Sequence, residues 1–382
     1  MSDEGHAAAD VPATDMQRSS RDRAVLRADL ERWLATRLPP GAEPRVDAVE
    51  GTSANGMSSE TLLFEAAWRE SGAARHERLV ARLAPDAHDV PVFPSYDLPG
   101  QFEAIRLVGE HTDVPVPPVW WCEPDPAALG APFFVMSRVD GRVPPDVMPY
   151  SFGDNWLHDA DPADQRHLQD ATVDVLARLH AVGDPERRFG FLVPDAPGDT
   201  PLRRRVALTR AWYDFAAADG FRSPLVERAF AWLDDHWPAR ESDQVLCWGD
   251  SRIGNMLYDG FEPAAVLDWE MATLGPPELD LAWLVYAHRI FDDLAHMMDL
   301  PGMPGFLRAA DVFATYEATT GHAPRDLEFF GTYAAVQFAI VFLRTGARSV
   351  HFGEAEMPAA VDDIVMNGPQ LALMLDGQYW DQ

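Results

Sequence analysis

The chain has 382 residues, and 47% of them are hydrophobic, which is enough to form sizeable cores in more than one lobe or domain. Its 61 acidic and 31 basic residues give a formal net charge of −30, which would repel nucleic acid and anionic membrane surfaces and argues against both as partners. The two cysteines are too few for a disulfide framework.

The first part of the chain has the pattern of a small β-rich lobe, which we place at residues 21–138. Residues 1–20 are predicted to form a flexible tail. Apolar residues recur at helical spacing over residues 22–38 and 98–111, and each stretch predicts a helix. Segments with the composition of strands are Val46–Val49, Thr61–Trp68, Leu79–Leu83 and Pro132–Met136.

From residue 139 onward the pattern becomes helical, and we predict a larger lobe over residues 139–382. Two short strand-like pieces, Val245–Trp248 and Ala264–Trp269, interrupt the helices. The predicted helices lie at residues 163–181, 203–219, 223–236, 278–293, 308–319, 325–346 and 358–375. The sequence therefore predicts an α+β fold of two lobes, a small antiparallel β N-lobe and a larger, mostly helical C-lobe.

The sequence carries no pattern typical of a membrane span or of an export signal. No uninterrupted apolar run approaches the length of a membrane span, and the acidic N-terminal segment lacks the apolar stretch of a secretory signal. We therefore expect a cytoplasmic protein that has neither a membrane nor an obligate protein as its partner.

Three polar residues follow apolar segments at a spacing that indicates phosphoryl transfer. Asp250 and Asn255 lie five positions apart, and Asp268 comes at the end of the next apolar segment. In a kinase, one carboxylate reaches the substrate hydroxyl, while an Asn oxygen and a second carboxylate hold Mg²⁺. Each residue alone is better explained by an Asx-rich turn or a strand cap. The three together favour the kinase interpretation.

The residues around this trio resemble the family of aminoglycoside phosphotransferases and choline kinase-like enzymes. The stretch Trp248-Gly-Asp250-Ser-Arg-Ile-Gly-Asn255 is similar to the family's His-Gly-Asp, four residues, Asn. The segment from Asp268 to Asp280 looks like the branch that includes kinase-like domains fused to some acyl-CoA dehydrogenases. The resemblance implies a bilobal protein-kinase-like fold, ATP and Mg²⁺ as cofactors, and a small molecule whose hydroxyl accepts the phosphoryl group. It also implies that Asp250 is the catalytic base or hydroxyl-orienting group and that Asn255 and Asp268 bind the metal.

The same resemblance places the nucleotide in the N-lobe. The turn that ends in Ser58 and Ser59 would cover the phosphates with backbone N–H groups and hydroxyls, although a plain hairpin loop is as good an explanation of that turn alone. Adenine would hydrogen-bond to the backbone near Ser137 and Val139, where the chain leaves the N-lobe.

A cation on the third strand of the family grips the α- and β-phosphates and pairs with a Glu on the next helix. The resemblance assigns these positions to Arg82 and Glu103. Without it, a surface arginine and a surface helical glutamate explain the two residues equally well.

Two positions depart from the family's pattern. Arg82 stands where the family usually has Lys, in a chain that contains no lysine at all, and its planar fork holds phosphate differently from a compact ammonium. Trp248 replaces the usual His; it cannot reproduce both ring-nitrogen contacts, but it could brace the loop by packing. These departures leave an alternative open, a nucleotide-binding pseudokinase without phosphotransfer activity.

Two further charged residues lie beside the motif. In loops of this type, a residue at the position of Arg252 points into the cleft that also receives the catalytic Asp, where it would steady phosphate or a neighbouring carboxylate. An ordinary loop salt bridge is an equal alternative. Glu270, together with Asp280, is expected to fix the loop after Asp268 and not to contact substrate directly.

Overall fold

A five-stranded antiparallel sheet forms the N-terminal part of the computed structural model, which describes residues 22–51, 59–146 and 148–380. The strands are β1 (Arg45–Gly51), β2 (Glu60–Glu70), β3 (Ala73–Leu83), β4 (Val119–Glu123) and β5 (Phe133–Ser137), in the spatial order β1-β2-β3-β5-β4. Ser71 and Gly72 join β2 to β3 in a tight turn, and both have positive φ, at 52° and 85°, as a two-residue hairpin requires. The predicted tail at residues 1–20 lies outside the described residues.

The first helix, α1 at Arg23–Arg37, covers one face of the sheet. Its N-terminus is capped by Asp22, whose carboxylate accepts a hydrogen bond of 2.7 Å from the N–H of Ala24. One stripe of the helix is buried in a hydrophobic cluster with residues of the sheet, and that stripe consists of Leu26, Leu30, Trp33 and Leu34. The N-lobe thus has its own hydrophobic core.

The second helix, α2 at Leu98–His111, packs against β4 and β5 and links the sheet to the rest of the protein. Its buried residues Ile105 and Val108 belong to the same hydrophobic cluster as Leu246 and Val266, which lie in the C-terminal part. The candidate site lies along this junction.

Helices dominate the C-terminal part. They are α3 (Pro162–His180), α4 (Pro185–Phe189), α5 (Pro201–Ala216), α6 (Pro224–Asp235), α7 (Glu278–Met297), α8 (Ala309–Thr320), α9 (Leu327–His351) and α10 (Gly368–Leu375). Two antiparallel pairs lie between α6 and α7; β6 (Val245–Cys247) pairs with β9 (Thr273–Gly275), and β7 (Met256–Asp259) pairs with β8 (Glu262–Val266). The predicted α+β fold, an antiparallel β lobe followed by a mostly helical one, is confirmed.

Helix α9 is central to this part and makes extensive contacts with α7. Among the described residues it is the one helix whose length and apolarity would suffice to cross a membrane, and 72% of its most apolar window is buried inside the protein. Such burial is typical of a core helix, whose apolar residues face neighbouring helices all round.

Candidate active site

The loop between β6 and β7 begins at Gly249, whose backbone is held in a conformation that favours glycine. Its φ is +92°, and a Cβ there would lie 2.1 Å from the carbonyl oxygen of Met271. The carboxylate of Asp280, on α7, accepts hydrogen bonds of 2.7 Å from the N–H groups of Trp248 and Gly249. Because Asp280 is completely buried, this contact rigidly fixes the backbone that precedes Asp250.

Trp248 connects this loop to the loop that follows β8. Its indole N–H lies 2.8 Å from the carbonyl oxygen of Leu267 and 3.2 Å from that of Asp268. Asp268 itself has a φ of +58°, a conformation that costs energy for a non-glycine residue and needs support from its surroundings. Trp248 therefore braces the loop by hydrogen bonding as well as by the packing that the sequence predicted.

His180 completes the bracing of Asp280. Its Nε2 lies 3.1 Å from Oδ2 of Asp280 and its Nδ1 lies 2.8 Å from the Tyr316 hydroxyl. His180, Asp280 and Cys247 have potential ligand atoms within 4.8 Å of one another, but the His and Asp atoms are already engaged in these contacts. We therefore assign the group to bracing and not to metal binding.

Asp250 is buried, and two donors hold its carboxylate. The indole N–H of Trp283 lies 2.8 Å from Oδ1, and Nε of Arg252 lies 3.0 Å from the same atom. Burial raises the pKa of Asp250, and the charge of Asp268 raises it further, while Arg252 and the Trp283 hydrogen bond lower it. A carboxylate held in this way is positioned and poised to accept a proton.

Arg252 also binds Asp146, a residue that the sequence analysis did not identify. Its Nη1 contacts Oδ2 of Asp146, so one guanidinium bridges two carboxylates. The side chains of Arg252 and Asp146 are only 19% and 13% exposed. Arg252 thus forms a loop salt bridge with Asp146 and also contacts the Asp250 carboxylate; its predicted contact with phosphate stays a prediction.

The two predicted metal ligands lie on the loops that Trp248 joins. Asn255 is buried, and its side-chain amide donates a 3.2 Å hydrogen bond to the backbone carbonyl of Asp250. The residues Asp250, Asn255 and Asp268 offer carboxylate and amide oxygens, which are the ligands that Mg²⁺ prefers. This donor set fits the implied metal.

Arg82 does lie at this site, but its partner differs from the one predicted. Its Nη2 donates to Oδ1 of Asp268 at 2.9 Å and its Nη1 donates to the Thr61 hydroxyl at 2.9 Å. Glu103 instead binds Arg106, with distances of 2.6 and 2.8 Å. The predicted pairing of Arg82 with Glu103 is therefore wrong in this structure.

The geometry of helix α2 explains why Glu103 does not meet Arg82. Gln101 and Ile105, four positions apart on one helix face, line a small interlobe cavity together with Arg82 and Asp268. Glu103 lies two positions from Gln101, about 200° around the helix, and so faces another way. The polar residue that α2 contributes to the cavity beside Arg82 is thus an uncharged glutamine.

The predicted adenine-binding backbone lies where β5 ends. The N–H of Ser137 donates to the carbonyl of Pro118 at 2.8 Å, and its hydroxyl accepts a 2.8 Å hydrogen bond from the indole of Trp120. Pro118 has no N–H with which to return a bond to the Ser137 carbonyl. The Ser137 carbonyl and the N–H of Val139, two residues on, remain the candidate partners for a base.

The remaining predicted residues are placed as follows. Ser59 is buried, and its hydroxyl has no hydrogen-bond partner among the described residues. Ser58 lies outside the described residues.

Glu270 is half-buried. Burial raises the pKa of the Tyr96 hydroxyl, and the charge of Glu270 raises it further. The predicted support of the Asp268 loop by Glu270 stays a prediction.

The sheet, the helical part and the loops that carry Asp250 and Asp268 define a protein of the kinase-like class. The model of the family described as "Phosphotransferase enzyme family" matches residues 59–309, and the chain belongs to this family. The family that the sequence motifs indicated is thereby confirmed.

Curated relatives carry the same kind of domain within longer proteins. The chain is 28% identical to the Arabidopsis thaliana probable acyl-CoA dehydrogenase IBR3 over 280 residues, which cover 70% of this chain and 32% of that protein. It is 33% identical to the chicken acyl-CoA dehydrogenase family member 11 over 172 residues, covering 44% of this chain and 20% of the relative. The chain thus spans between about a fifth and a third of these relatives.

Solved structures share the fold. A Ralstonia eutropha protein described as an aminoglycoside phosphotransferase superposes with a TM-score of 0.61 at 22% identity, covering 93% of this chain and 97% of that one. A ternary complex of aminoglycoside phosphotransferase APH(4)-Ia with AMP-PNP and hygromycin B gives a TM-score of 0.52 at 14% identity, covering 91% and 98%. At these identities the likeness establishes the fold alone.

Proposed function

We propose that the protein is an ATP- and Mg²⁺-dependent phosphotransferase that moves the γ-phosphoryl group to a hydroxyl of a small molecule. The observation that carries this proposal is the convergence of Asp250, Asn255 and Asp268 on two loops that Trp248 ties together. Family membership supports the reaction class. The complexes of fold neighbours with AMP-PNP or with GDP support the use of a nucleotide.

In this mechanism Asp250 receives the acceptor hydroxyl. Its carboxylate orients the oxygen for attack and takes up the proton as the bond from that oxygen to the γ-phosphorus forms and the bond from the γ-phosphorus to the leaving ADP breaks. Trp283 and Arg252 hold the carboxylate in place through Oδ1. The rate gain would come mainly from positioning the reactants and neutralising developing charge.

Asn255 and Asp268 would hold Mg²⁺, which when bound neutralises charge on the phosphate oxygens. Arg82, within hydrogen-bonding distance of Asp268, would bind the phosphates with its planar fork. The Ser137 carbonyl and the Val139 N–H would accept and donate to the base. A cleft between the sheet and the helical part would exclude water from the transfer.

A nucleotide-binding protein without phosphotransfer activity is the second candidate. The ion pair between Arg82 and Asp268 favours it, because it engages the proposed metal ligand with a cation of the protein itself. The two candidates differ in one result: the second binds nucleotide but yields no phosphorylated product with any acceptor.

The acceptor is proposed only by class. The acidic chain suits a cationic molecule such as an aminoglycoside, while its acyl-CoA dehydrogenase relatives direct attention to hydroxy acids and their acyl thioesters. The same net charge supports our proposal that neither nucleic acid nor an anionic membrane is a partner, and we further propose a cytoplasmic location.

The test is an acceptor screen that follows ADP release and confirms product by mass spectrometry, with GTP as a second donor. Wild-type protein is compared with Asp250→Asn, which keeps the shape of the side chain and removes its basicity. Turnover that depends on acceptor and is lost in Asp250→Asn is expected. Equal turnover in both proteins would contradict the mechanism.

A further inference from the structure

An ion pair joins Arg82 to Asp268, the candidate metal ligand. Nη2 of Arg82 lies 2.9 Å from Oδ1 of Asp268, and each side chain is only 10% exposed. A guanidinium in this place occupies one carboxylate oxygen and neutralises the charge that would attract a divalent cation. Such a pair would oppose the binding of a metal that arrives alone.

Arg82 has no competing acidic partner on α2 among the described residues that line this cavity. The helix presents Gln101 there, which carries no charge, and Glu103 is held by Arg106 on another face. A carboxylate at position 101 would offer Arg82 a second anion. With glutamine in that position, the charge of Arg82 is balanced by Asp268.

Phosphate groups of a nucleotide would change this balance. Arginine binds phosphate in bidentate fashion, and charge-assisted bonds of this type are stronger than neutral ones. As the guanidinium turns to the phosphates, the Asp268 carboxylate becomes available to a cation. Linkage then requires that nucleotide and metal strengthen each other's binding by the same factor.

We propose that Arg82 guards Asp268 so that the divalent metal binds with or after the nucleotide and not before it, and that Gln101 sets this order by leaving Arg82 to Asp268. The inference rests on the proposed function, because it takes Asp268 as a metal ligand and Arg82 as a phosphate ligand. It assigns Gln101 a role in metal binding without any direct contact to the metal.

The experiment measures Mn²⁺ binding by electron paramagnetic resonance, with and without AMP-PNP. Wild-type protein should bind Mn²⁺ weakly alone and about tenfold or more tightly with AMP-PNP, a typical size for coupling between two ligands. Both Arg82→Met and Gln101→Glu should bind Mn²⁺ alone about tenfold more tightly than wild type, since each frees Asp268. Arg82→Met should also weaken AMP-PNP binding.

Three controls separate the guard from simpler effects. Gln101→Met keeps the side-chain length without charge and should bind Mn²⁺ as wild type does. The double variant with Arg82→Met and Gln101→Glu should bind Mn²⁺ no more tightly than Arg82→Met alone. The glutamate acts through Arg82, and this variant lacks that arginine. Asp268→Ala added to Arg82→Met should abolish the tight Mn²⁺ binding, which places the ion at Asp268.

Each outcome decides the inference. Mn²⁺ affinities without nucleotide that are equal in wild type, Arg82→Met and Gln101→Glu overturn it, and so does tight binding that survives Asp268→Ala. If the variants bind Mn²⁺ more tightly but no protein binds AMP-PNP, the guard stands and the proposed function fails. If Arg82→Met does not fold, as judged by circular dichroism, Gln101→Glu with its Gln101→Met control still decides.

Discussion

The indole nitrogen of Trp283 lies 2.8 Å from Oδ1 of Asp250, so a residue of helix α7 holds the proposed catalytic carboxylate. Asp280, three positions earlier on the same helix, holds the backbone just before that carboxylate. Residues three apart share a helix face. One face of α7 therefore positions both the backbone and the side chain of the catalytic loop.

Replacing Trp283 with Phe should reduce activity and shift its pH dependence. The Trp283 hydrogen bond lowers the pKa of Asp250, so its loss should raise that pKa. A base must be deprotonated to act, so the acidic limb of the kcat/KM profile should move to higher pH. We expect a loss of about tenfold in kcat, a modest share of the 10²–10⁴-fold that general base catalysis supplies. The measurement is the pH profile with the acceptor from the screen.

Trp212→Phe serves as the matched control for Trp283→Phe, since the Trp212 indole donates a hydrogen bond to the carbonyl of Val92, away from the site. A limb that stays in place or moves to lower pH would argue against this role.

Replacing Asp280 with Ala should destabilise the protein strongly. The change leaves the N–H groups of Trp248 and Gly249 and the ring of His180 without their buried partner. We expect a loss of about 3–5 kcal/mol in the free energy of unfolding, the range for removing one partner of a buried charged network. Urea denaturation followed by circular dichroism measures it, and Asp376→Ala, on an exposed carboxylate, is the control. A loss under about 1 kcal/mol would contradict the bracing role, because it matches an exposed site.

Gly249→Ala and Gly260→Ala form a matched pair, because both glycines have positive φ, at 92° and 61°. A Cβ at position 249 meets the carbonyl of Met271 at 2.1 Å, while one at position 260 meets nothing within 4 Å. Gly260→Ala should cost about 1–2 kcal/mol for its backbone conformation alone. Gly249→Ala should cost more and should also lower nucleotide turnover. Equal unfolding free energies for the two variants would show that the close approach to Met271 does not matter.

Trp248→Phe tests the brace between the two loops. Phe keeps most of the packing but cannot donate to the carbonyls of Leu267 and Asp268. We expect about 1–3 kcal/mol lower stability because these partly buried carbonyls lose their indole donor, together with weaker metal-dependent nucleotide binding because Asp268 loses support. Calorimetry of both properties checks this. Unchanged nucleotide affinity would limit the role of Trp248 to packing.

Sequence patterns were informative where one short segment supplies the whole signal. The Asp250–Asn255 spacing and the strand leading to Asp268 predicted the loops that the structure brings together. The strand predicted over Ala264–Trp269 is observed at Glu262–Val266, because the chain turns at Asp268 with positive φ. The strand at Val119–Glu123 is not predicted from the sequence, because Pro115, Pro117 and Pro118 just before it are typical of a break in the chain; the structure places it at the edge of the sheet.

Contacts between distant segments were harder to predict. Neither Trp283 nor Asp146 is identified from the sequence as part of the site, although both contact its charged residues. The i, i+3 relation between Asp280 and Trp283 was the available signal for the first of these. The assignment of Glu103 follows the charge expected from the family, whereas the face of α2 that lines the cavity beside Arg82 carries Gln101. Which face of α2 meets β3 depends on tertiary packing, which periodicity alone does not specify.

Titration calorimetry with AMP-PNP, with and without Mg²⁺, tests the central claim most directly, that this cleft is a metal-dependent nucleotide site. The account predicts binding that is strengthened by Mg²⁺, retained in Asp250→Asn and greatly weakened in Asp268→Ala. Absence of AMP-PNP binding with Mg²⁺ present, or binding that is indifferent to Asp268→Ala, would contradict it.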